Sequence, residues 1–337
     1  MSANTLRSLL PRSIRIPSPR LSARCFHPVC LRQYNHTTTT LHNKATFSTS
    51  RTTTPPPPTS TKEQEDSEMA EATGLIAKSG IELLTFGTPN GHKVSILLEE
   101  LKEAYGKEYT WQSINIMKNI QKEPWFTAIN PNGRIPAIVD HDRNDFAVFE
   151  GLPILTYLTR HYDPENKFSF PVESDDYSVA EQWMAWQHGG VGPMQGQANH
   201  FFRFAKEKIP YAVQRYVGES ERLYGILDKR LEGRDYIVGP GRGKYSIADI
   251  NIFGWANMTI LSGVELDRFP HVKSWLDRLN ARPAVKKGLA IPAESSFTNA
   301  AFLKSLESDP EKKAQQEELT RFLTEAKEKY GYKYTSP

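Results

Sequence analysis

The stretch Asn130–Tyr162, NPNGRIPAIVDHDRNDFAVFEGLPILTYLTRHY, decides how the first half of this chain folds. It opens with a turn, because proline presets φ while asparagine and glycine accept positive φ. Ile135–Val139 is apolar and β-branched enough for a buried strand, and Pro136, which cannot donate to a sheet, belongs among that strand's first residues. The bond before Pro136 is either trans or cis, since X-Pro bonds adopt both forms. A polar loop then leads into a second short strand, Phe146–Phe149.

The helix that follows this second strand begins in a way that suits an α-amino acid ligand. After Glu150 and Gly151 comes an apolar face at helical spacing, formed by Leu152, Leu155 and Leu158. The backbone N–H groups of residues 151–153 favour a carboxylate at the helix N-terminus. The Glu150 carboxylate beside them favours an ammonium group. An α-amino acid carries both groups, so the sequence predicts a cleft that holds one here.

The residues before this stretch predict the rest of a small α/β domain. Ile81–Phe86 has the composition of a short strand, His92–Leu101 is amphipathic at helical spacing, and Tyr109–Ile116 alternates like a second strand. The resulting order is β-α-β, a loop, then β-β-α, with the crossover helix that a parallel pair requires. The sequence therefore predicts an α/β fold, a thioredoxin-like domain over residues 79–165.

The second half of the chain predicts an all-α domain over residues 172–295 and a charged helical tail over residues 296–337. The periodicity is helical throughout, with an interruption expected at Gly189–Pro193. Ser246–Asp249 has the spacing of a capping box, in which the serine and the third following residue satisfy free amides at a helix start. We predict a folding role for this box and no chemical one.

Residues 1–78 predict a non-globular, basic leader. Seven arginines precede the first acidic residue, Glu63, among serine, threonine and leucine, and Pro55–Pro58 and a threonine run add low complexity. This composition is typical of a mitochondrial transit peptide, and the alternative is a disordered basic tail. Initiation at Met69 would give a shorter form that stays cytoplasmic.

Composition excludes several classes of site and partner. The chain of 337 residues has a formal charge of only +3, which indicates no nucleic-acid surface. It contains no apolar run of eighteen residues, so we expect no membrane-spanning helix. Both cysteines, Cys25 and Cys30, lie in the leader, which excludes a protein thiol nucleophile, a disulfide and a cysteine-ligated metal in the folded body. We therefore expect no metal.

The Ile135-Pro136 pair before a strand and the Phe149-Glu150 pair at the mouth of the next helix resemble the glutathione-binding half of the cytosolic glutathione transferases. The resemblance implies a thioredoxin-like domain followed by an all-α domain, with glutathione as the co-substrate. It also implies that Ile135 and Pro136 pair with the cysteinyl backbone of glutathione. Glu150 and the residue after it would then hold the γ-glutamyl end.

Three further residues are assigned to glutathione binding by the same resemblance. The family normally has serine after the acidic residue, and this chain has Gly151, so a hydroxyl contact is missing while the backbone N–H remains. Lys118 takes the position of residues that touch the glycine end. Arg134 either pairs with a ligand carboxylate or is simply solvated, as surface charges usually are.

Thr88-Pro89-Asn90-Gly91 lies between the first strand and the first helix, where transferases of this family place the group that faces the glutathione sulfur. This loop has no tyrosine, serine or cysteine, and with the following residues it resembles the nu class and the fungal nitrogen-regulator branch. The resemblance implies that Thr88 and Asn90 contact the sulfur and are the catalytic residues. A free thiol has a pKa of about 8.5, and hydroxyl and amide donors favour its anion. The alternative is that both residues merely cap the helix.

The run Gly192–Phe201 resembles the same branch and would form the cleft wall opposite the thiol. From it we predict Met194 and His200, with Arg215 from the next helix, as residues of an acceptor pocket. Phe202 is expected in the core, because aromatic side chains at this density usually pack there.

The resulting prediction is a glutathione S-transferase that activates glutathione as thiolate for attack on a small electrophile, or for disulfide or peroxide reduction. Without a protein cysteine, disulfide reduction would need two glutathiones. The alternative is a non-catalytic glutathione-binding regulatory protein of the fungal nitrogen-regulator type, which the loss of serine at 151 favours and the arginine-rich leader opposes. The family resemblance also implies a homodimer.

Overall fold

A four-stranded mixed sheet forms the core of the first half of the computed structural model, which describes residues 71–331. The strands are β1 (Ile81–Thr85), β2 (Tyr109–Ser113), β3 (Ala137–Asp140) and β4 (Phe146–Phe149), in the order β2-β1-β3-β4. β1 and β2 are parallel, whereas β3 is antiparallel to both β1 and β4. This is the thioredoxin-like arrangement that the sequence predicts.

The helices of this half are the two that the sequence predicts and a short one in the predicted loop. They are α1 (Pro89–Tyr105), α2 (Pro124–Ile129) and α3 (Gly151–Tyr162), with single 3₁₀ turns at Ile116–Lys118, Ile120–Lys122 and His141–Arg143. α1 is the parallel crossover from β1 to β2, and α3 follows β4 directly. Two connections therefore lie at the N-termini of these helices, one before α1 and one between β4 and α3.

The remaining described residues are mostly helical. The helices are α4 (Asp175–Trp186), α5 (Gly192–Asn199), α6 (Pro210–Leu231), α7 (Ile247–Ala256), α8 (Pro270–Asn280), α9 (Pro283–Leu289), α10 (Asn299–Ser308) and α11 (Pro310–Tyr330). 3₁₀ turns at Thr259–Ser262 and Leu266–Arg268 join α7 to α8. The predicted all-α second half is thus confirmed. No helix within residues 71–331 combines the length and the apolar character that a bilayer crossing needs.

The expected break at Gly189–Pro193 is wrong, because the chain stays helical there. A π-helical turn, Gln187–Val191, joins α4 to α5, and a second one, His200–Phe204, follows α5. A Cβ on Gly192 would lie 2.9 Å from the side-chain nitrogen of Gln187, so a larger residue where the π turn ends would displace that amide. π turns inside helices often occur at functional sites.

The capping box at the start of α7 is confirmed and anchors the core of the second half. Ser246 accepts a hydrogen bond from the backbone of Ala248, while the Asp249 carboxylate accepts from the backbone N–H of Ser246. Asp249 also accepts from the backbone of Ile237 and from Trp275 Nε1. Burial raises the pKa of Asp249 to about 6 although these donors favour its anion. Its role is structural.

α1 is held in place by the helical half, which matters because the site begins at its N-terminus. The Arg282 guanidinium, at the start of α9, donates two hydrogen bonds of 2.7 and 2.8 Å to the buried carboxylate of Glu100. A Cβ on Gly254 of α7 would lie 2.2 Å from the carbonyl oxygen of Pro89, so the two helices touch backbone to backbone. The first turn of α1 therefore cannot shift without moving α7.

The tail after residue 296 is more firmly packed than a peripheral helix. α11 buries Leu319, Leu323 and Ala326, and Lys327 Nζ lies 2.7 Å from a carboxylate oxygen of Glu221 on α6. The transit peptide and the internal start at Met69 fall outside the described residues, as do residues 332–337. Residues 71–78, assigned by sequence to the leader, lie beside β1: Ile76 and Ala77 donate backbone hydrogen bonds to Glu82.

Candidate active site

A cleft of about 500 Å³ lies where the loop before α1, the turn before β3 and the start of α3 meet the helical half. Seven of the eleven predicted site residues line it. Its lining consists of Thr88, Pro89, Asn90, Ile116, Met117, Gln121, Asn130, Asn132, Arg134, Ile135, Pro136, Glu150, Gly151, His188 and Trp255. The fold thus brings together residues that lie up to 167 positions apart (88 to 255).

Thr88 caps α1, as the alternative interpretation of this loop holds. Its Oγ1 accepts a hydrogen bond of 3.1 Å from the backbone N–H of Gly91. Capping uses only a lone pair of the hydroxyl, so the O–H hydrogen stays available to another acceptor. Gly91 has no room for a side chain, since a Cβ would lie 2.2 Å from the carbonyl oxygen of Phe86. The two interpretations of Thr88, cap and sulfur ligand, are therefore compatible.

Asn90 is oriented by a residue that the sequence analysis missed. Trp255 of α7 donates a hydrogen bond of 3.0 Å from its indole Nε1 to the side-chain oxygen of Asn90. Indole N–H is only a donor, so it must face the amide oxygen and leaves the amide NH₂ for another partner. The sequence offers one sign of this contact. A tryptophan in the apolar run of α7 is expected to be buried, and a buried tryptophan usually needs an acceptor for its N–H.

Glu150 has an unusual backbone at the cleft. Its φ is +69° and its ψ is 130°, a conformation that non-glycine residues rarely adopt and that is concentrated at functional sites. It precedes α3 but its side chain does not cap the helix. Instead its carboxylate oxygens lie 3.4 Å from Asn132 Nδ2 and 3.5 Å from His188 Nε2. These contacts are long, so the carboxylate keeps acceptor capacity for a ligand cation.

The turn before β3 forms the third wall. The Ile135–Pro136 peptide bond is cis, one of the two forms left open by the sequence. Asn130 is 1% exposed, and its side-chain amide donates a 2.7 Å hydrogen bond to the carbonyl oxygen of Arg134. The Arg134 side chain is exposed and Ile135 is half-buried. Asn130 thus fixes the backbone that the ligand would meet.

A buried cation, also missed by the sequence analysis, lies behind the cleft. Lys93 of α1 is 1% exposed and donates a 2.7 Å hydrogen bond from Nζ to Gln187 Oε1 of the first π turn. Burial lowers the pKa of Lys93 to about 7, although the nearby Glu150 carboxylate acts in the opposite direction. A Cβ on Gly151 would lie 3.5 Å from Lys93 Cδ.

Four predicted residues do not line this cleft, and their roles stay predictions. Lys118 is exposed and its Nζ lies 2.6 Å from a carboxylate oxygen of Glu71. Met194 is half-buried, while His200 and Arg215 are exposed. The ring of His200 packs edge-on against Phe201, 5.1 Å between centroids. The expectation that Phe202 belongs to the core is confirmed, since it is fully buried.

No group of three histidine, cysteine, aspartate or glutamate side chains within residues 71–331 is arranged to hold a metal ion. The chemistry that the cleft offers is hydrogen-bond donation by a hydroxyl and an amide at one end, and a carboxylate beside a helix N-terminus at the other. This donor set fits a zwitterionic amino acid joined to a group that develops negative charge.

Comparison with known proteins gives the same result from independent data. Residues 88–161 match the N-terminal domain of glutathione S-transferases, and residues 196–283 match the C-terminal domain. The chain is 40% identical over 215 residues to a glutathione S-transferase-like protein, tpcF, of Aspergillus fumigatus, covering 60% of this chain and 92% of that protein. It is 38% identical over 213 residues to the disulfide-bond oxidoreductase YfcG of Escherichia coli, covering 62% and 94% respectively.

A solved structure supports the branch as well as the family. The glutathione transferase URE2P8 from Phanerochaete chrysosporium, crystallised with oxidized glutathione, superposes with a TM-score of 0.59 and 33% identity, covering 64% of this chain and 95% of that one. The yeast nitrogen-regulation protein Ure2p is also a structural neighbour. The chain therefore belongs to the glutathione S-transferase family, in its Ure2p-like branch.

Proposed function

We propose that this protein binds glutathione in the cleft and holds its sulfur as a thiolate between Thr88 and Asn90. The hydrogen bond from Trp255 to the oxygen of Asn90 carries the proposal, because it leaves the amide NH₂ as a donor on the cleft. The Thr88 hydroxyl and the N-terminus of α1 add two more favourable groups for an anion. Donors of this kind lower the pKa of a thiol and raise its thiolate fraction at neutral pH.

The other end of the ligand follows from the charges. The γ-glutamyl ammonium meets the Glu150 carboxylate, and the γ-glutamyl carboxylate meets the N-terminus of α3 at Gly151. The cysteinyl backbone lies along Ile135 and Pro136. Arg134 and Lys118 are the candidates for the glycyl carboxylate, Arg134 from the cleft and Lys118 from outside it.

Two reactions are available to a bound thiolate. It attacks an electrophilic carbon of a small molecule, forms a carbon–sulfur bond and expels a leaving group. Alternatively it attacks one sulfur of a disulfide and releases the other as a thiolate, and a second glutathione attacks the mixed disulfide so formed. The two glutathiones end as glutathione disulfide, and the substrate takes two electrons and two protons. Similarity to YfcG, named as a disulfide-bond oxidoreductase, supports the second reaction.

One assay separates these activities. Purified protein with glutathione is tested side by side against a chlorinated aromatic, a hydroperoxide and a mixed disulfide. We expect turnover of at least one substrate that falls in the Asn90→Ala variant. Glutathione binding with no turnover of any of the three would instead favour the alternative, a non-catalytic regulatory protein of the Ure2p type, which the missing serine at position 151 supports.

We also propose a homodimer, domain boundaries at residues 79–165, 172–295 and 296–337, and import into mitochondria by the leader. The edge strand β4 carries Phe146 and Phe149, which are 55% and 37% exposed, as apolar contacts for a second copy. Sedimentation equilibrium tests the dimer.

A fluorescent fusion of residues 1–68 tests the import into mitochondria, and a cytoplasmic signal would contradict it.

A further inference from the structure

Lys93 lies behind the cleft and is almost fully buried, unlike the charged residues Arg134 and Glu150 that line the cleft. Its Nζ donates to Gln187 Oε1, and no carboxylate within residues 71–331 lies at ion-pair distance. An ammonium has three N–H donors, and one hydrogen bond to a neutral amide satisfies only one of them. Burying a cation without a counter-ion is costly, so such a group is expected to have a use.

Gly151 lies close to Lys93 and also lines the ligand site. A Cβ on Gly151 would lie 4.0 Å from Lys93 Nζ, and Gly151 itself lines the cleft as the first residue of α3. Because glycine contributes no side chain, residue 151 does not shield the ammonium from a ligand at the N-terminus of α3. The γ-glutamyl carboxylate is proposed above to bind at this N-terminus.

The charges on the two sides of Gly151 form a complementary pair. The Glu150 carboxylate is on the cleft side, and its attraction partly offsets the lowering of the Lys93 pKa by burial. A zwitterionic α-amino acid placed here would have its ammonium near Glu150 and its carboxylate near Lys93. At low effective dielectric, opposite charges several ångströms apart still interact strongly.

We propose that Lys93 is a positioning residue that recognises the α-carboxylate of the γ-glutamyl end through Gly151, in place of the serine hydroxyl that this chain lacks. The inference rests on the proposed function, since it requires that glutathione occupies the cleft in this direction. Under this proposal Lys93, which lies outside the cleft, makes the protein selective for thiols that carry a free α-carboxylate.

The test pairs one variant with one ligand change. Lys93→Met removes the charge and keeps the length of the side chain. The ligand control is γ-aminobutyryl-cysteinylglycine, which lacks only the α-carboxylate of glutathione. We expect wild-type protein to bind the control ligand at least tenfold more weakly than glutathione, as for the loss of a charged contact. Lys93→Met should bind glutathione at least tenfold more weakly and the control ligand no more weakly than wild type does.

A loss of affinity by the same factor for both ligands would show that Lys93 only supports the fold, and would overturn the inference.

A second measurement needs no variant. A ligand carboxylate near Lys93 raises its pKa, so binding of S-methylglutathione at pH 7 should take up protons, measured by titration calorimetry in buffers of different ionisation enthalpy. The S-methyl form of the control ligand should take up fewer.

Other titratable groups act alike on both ligands at pH 7, where the amino groups of both ligands are protonated. Glu150 and His188 face the amino group, which the two ligands share, and the S-methyl group removes the thiol proton. Equal proton uptake would contradict the inference. Wild-type protein that binds neither glutathione nor the control ligand would overturn the proposed function itself, whereas wild-type binding with an equal loss in Lys93→Met overturns only the role of Lys93.

Discussion

The two ends of the cleft are built in opposite ways. At the sulfur end, Thr88 and Asn90 are neutral, and they are held by hydrogen bonds from Gly91 and Trp255. At the amino acid end, Glu150 is charged, 38% exposed in its side chain and only loosely held by its neighbours. Affinity and reactivity therefore come from different ends of the cleft. Charge at one end binds the ligand, and fixed neutral donors at the other change the pKa of its sulfur.

Glu150→Ala should have the largest effect on binding. It removes the counter-ion of the ligand ammonium and leaves Lys93 without its nearest negative charge, so affinity for glutathione should fall by about a hundredfold or more. Retention on immobilised glutathione and calorimetry measure this. Glu150→Gln keeps the shape and should lose nearly as much. Retention equal to that of wild type would show that the γ-glutamyl end of glutathione does not bind at Glu150.

Asn90→Ala should have the next largest effect, and it should act on turnover. Removing one donor to a developing or stabilised anion typically lowers kcat by 10²–10³ in oxyanion sites, and for a thiolate we expect about thirtyfold. The KM for glutathione should change by less than about threefold, because the charged end is intact. Steady-state kinetics separate the two constants. If both constants worsen together, Asn90 is a binding residue and the contrast between the two ends is lost.

Trp255→Phe should have a smaller effect of the same kind. The ring is retained, but the indole N–H that fixes the Asn90 amide is lost, so the amide can rotate and present its oxygen to the sulfur. We expect kcat to fall by about fivefold to tenfold with little change in KM. Trp183→Phe, on α4 outside the cleft lining, is the matched control and should behave as wild type.

The buried charge predicts a pH dependence of stability. The folded-state pKa of Lys93, about 7, lies below its ordinary value of 10.5. At a pH between these two pKa values, the unfolded chain therefore binds more protons than the folded protein does. The free energy of unfolding of wild type should therefore rise from pH 7.5 to 8.5 relative to Lys93→Met, by about 1 kcal/mol. Urea denaturation of both proteins at the two pH values measures the difference. A difference independent of pH would mean that Lys93 has an ordinary pKa.

The sequence predicted the fold and one side of the site because those depend on local patterns. Thr88-Pro89-Asn90-Gly91 and Glu150-Gly151 follow strands that the sequence pattern predicts, and the family resemblance implied that both stretches meet one ligand. The expected break at Gly189–Pro193 failed because glycine and proline were taken as helix breakers. Gly192 instead lies within the helical path in close contact with the Gln187 side chain, and Pro193 occupies the first turn of α5, where proline is tolerated.

Trp255, His188 and Lys93 could not have been found in this way. Trp255 reaches Asn90 across 165 residues of chain, and the burial of Lys93 follows from the packing of α1 against the first π turn. In the sequence, Lys93 lies in an amphipathic helix where a lysine is expected to be exposed. Tertiary packing, which one sequence does not reveal, decides all three positions.

The pKa of the thiol of bound glutathione tests the central claim most directly. Ultraviolet absorbance of the thiolate, followed across pH with saturating glutathione, gives that value for wild type and for Asn90→Ala. We predict a pKa at least about one unit below the free value of about 8.5 in wild type, and a return toward the free value in the variant. A bound thiol that titrates like free glutathione in the wild-type protein would contradict it.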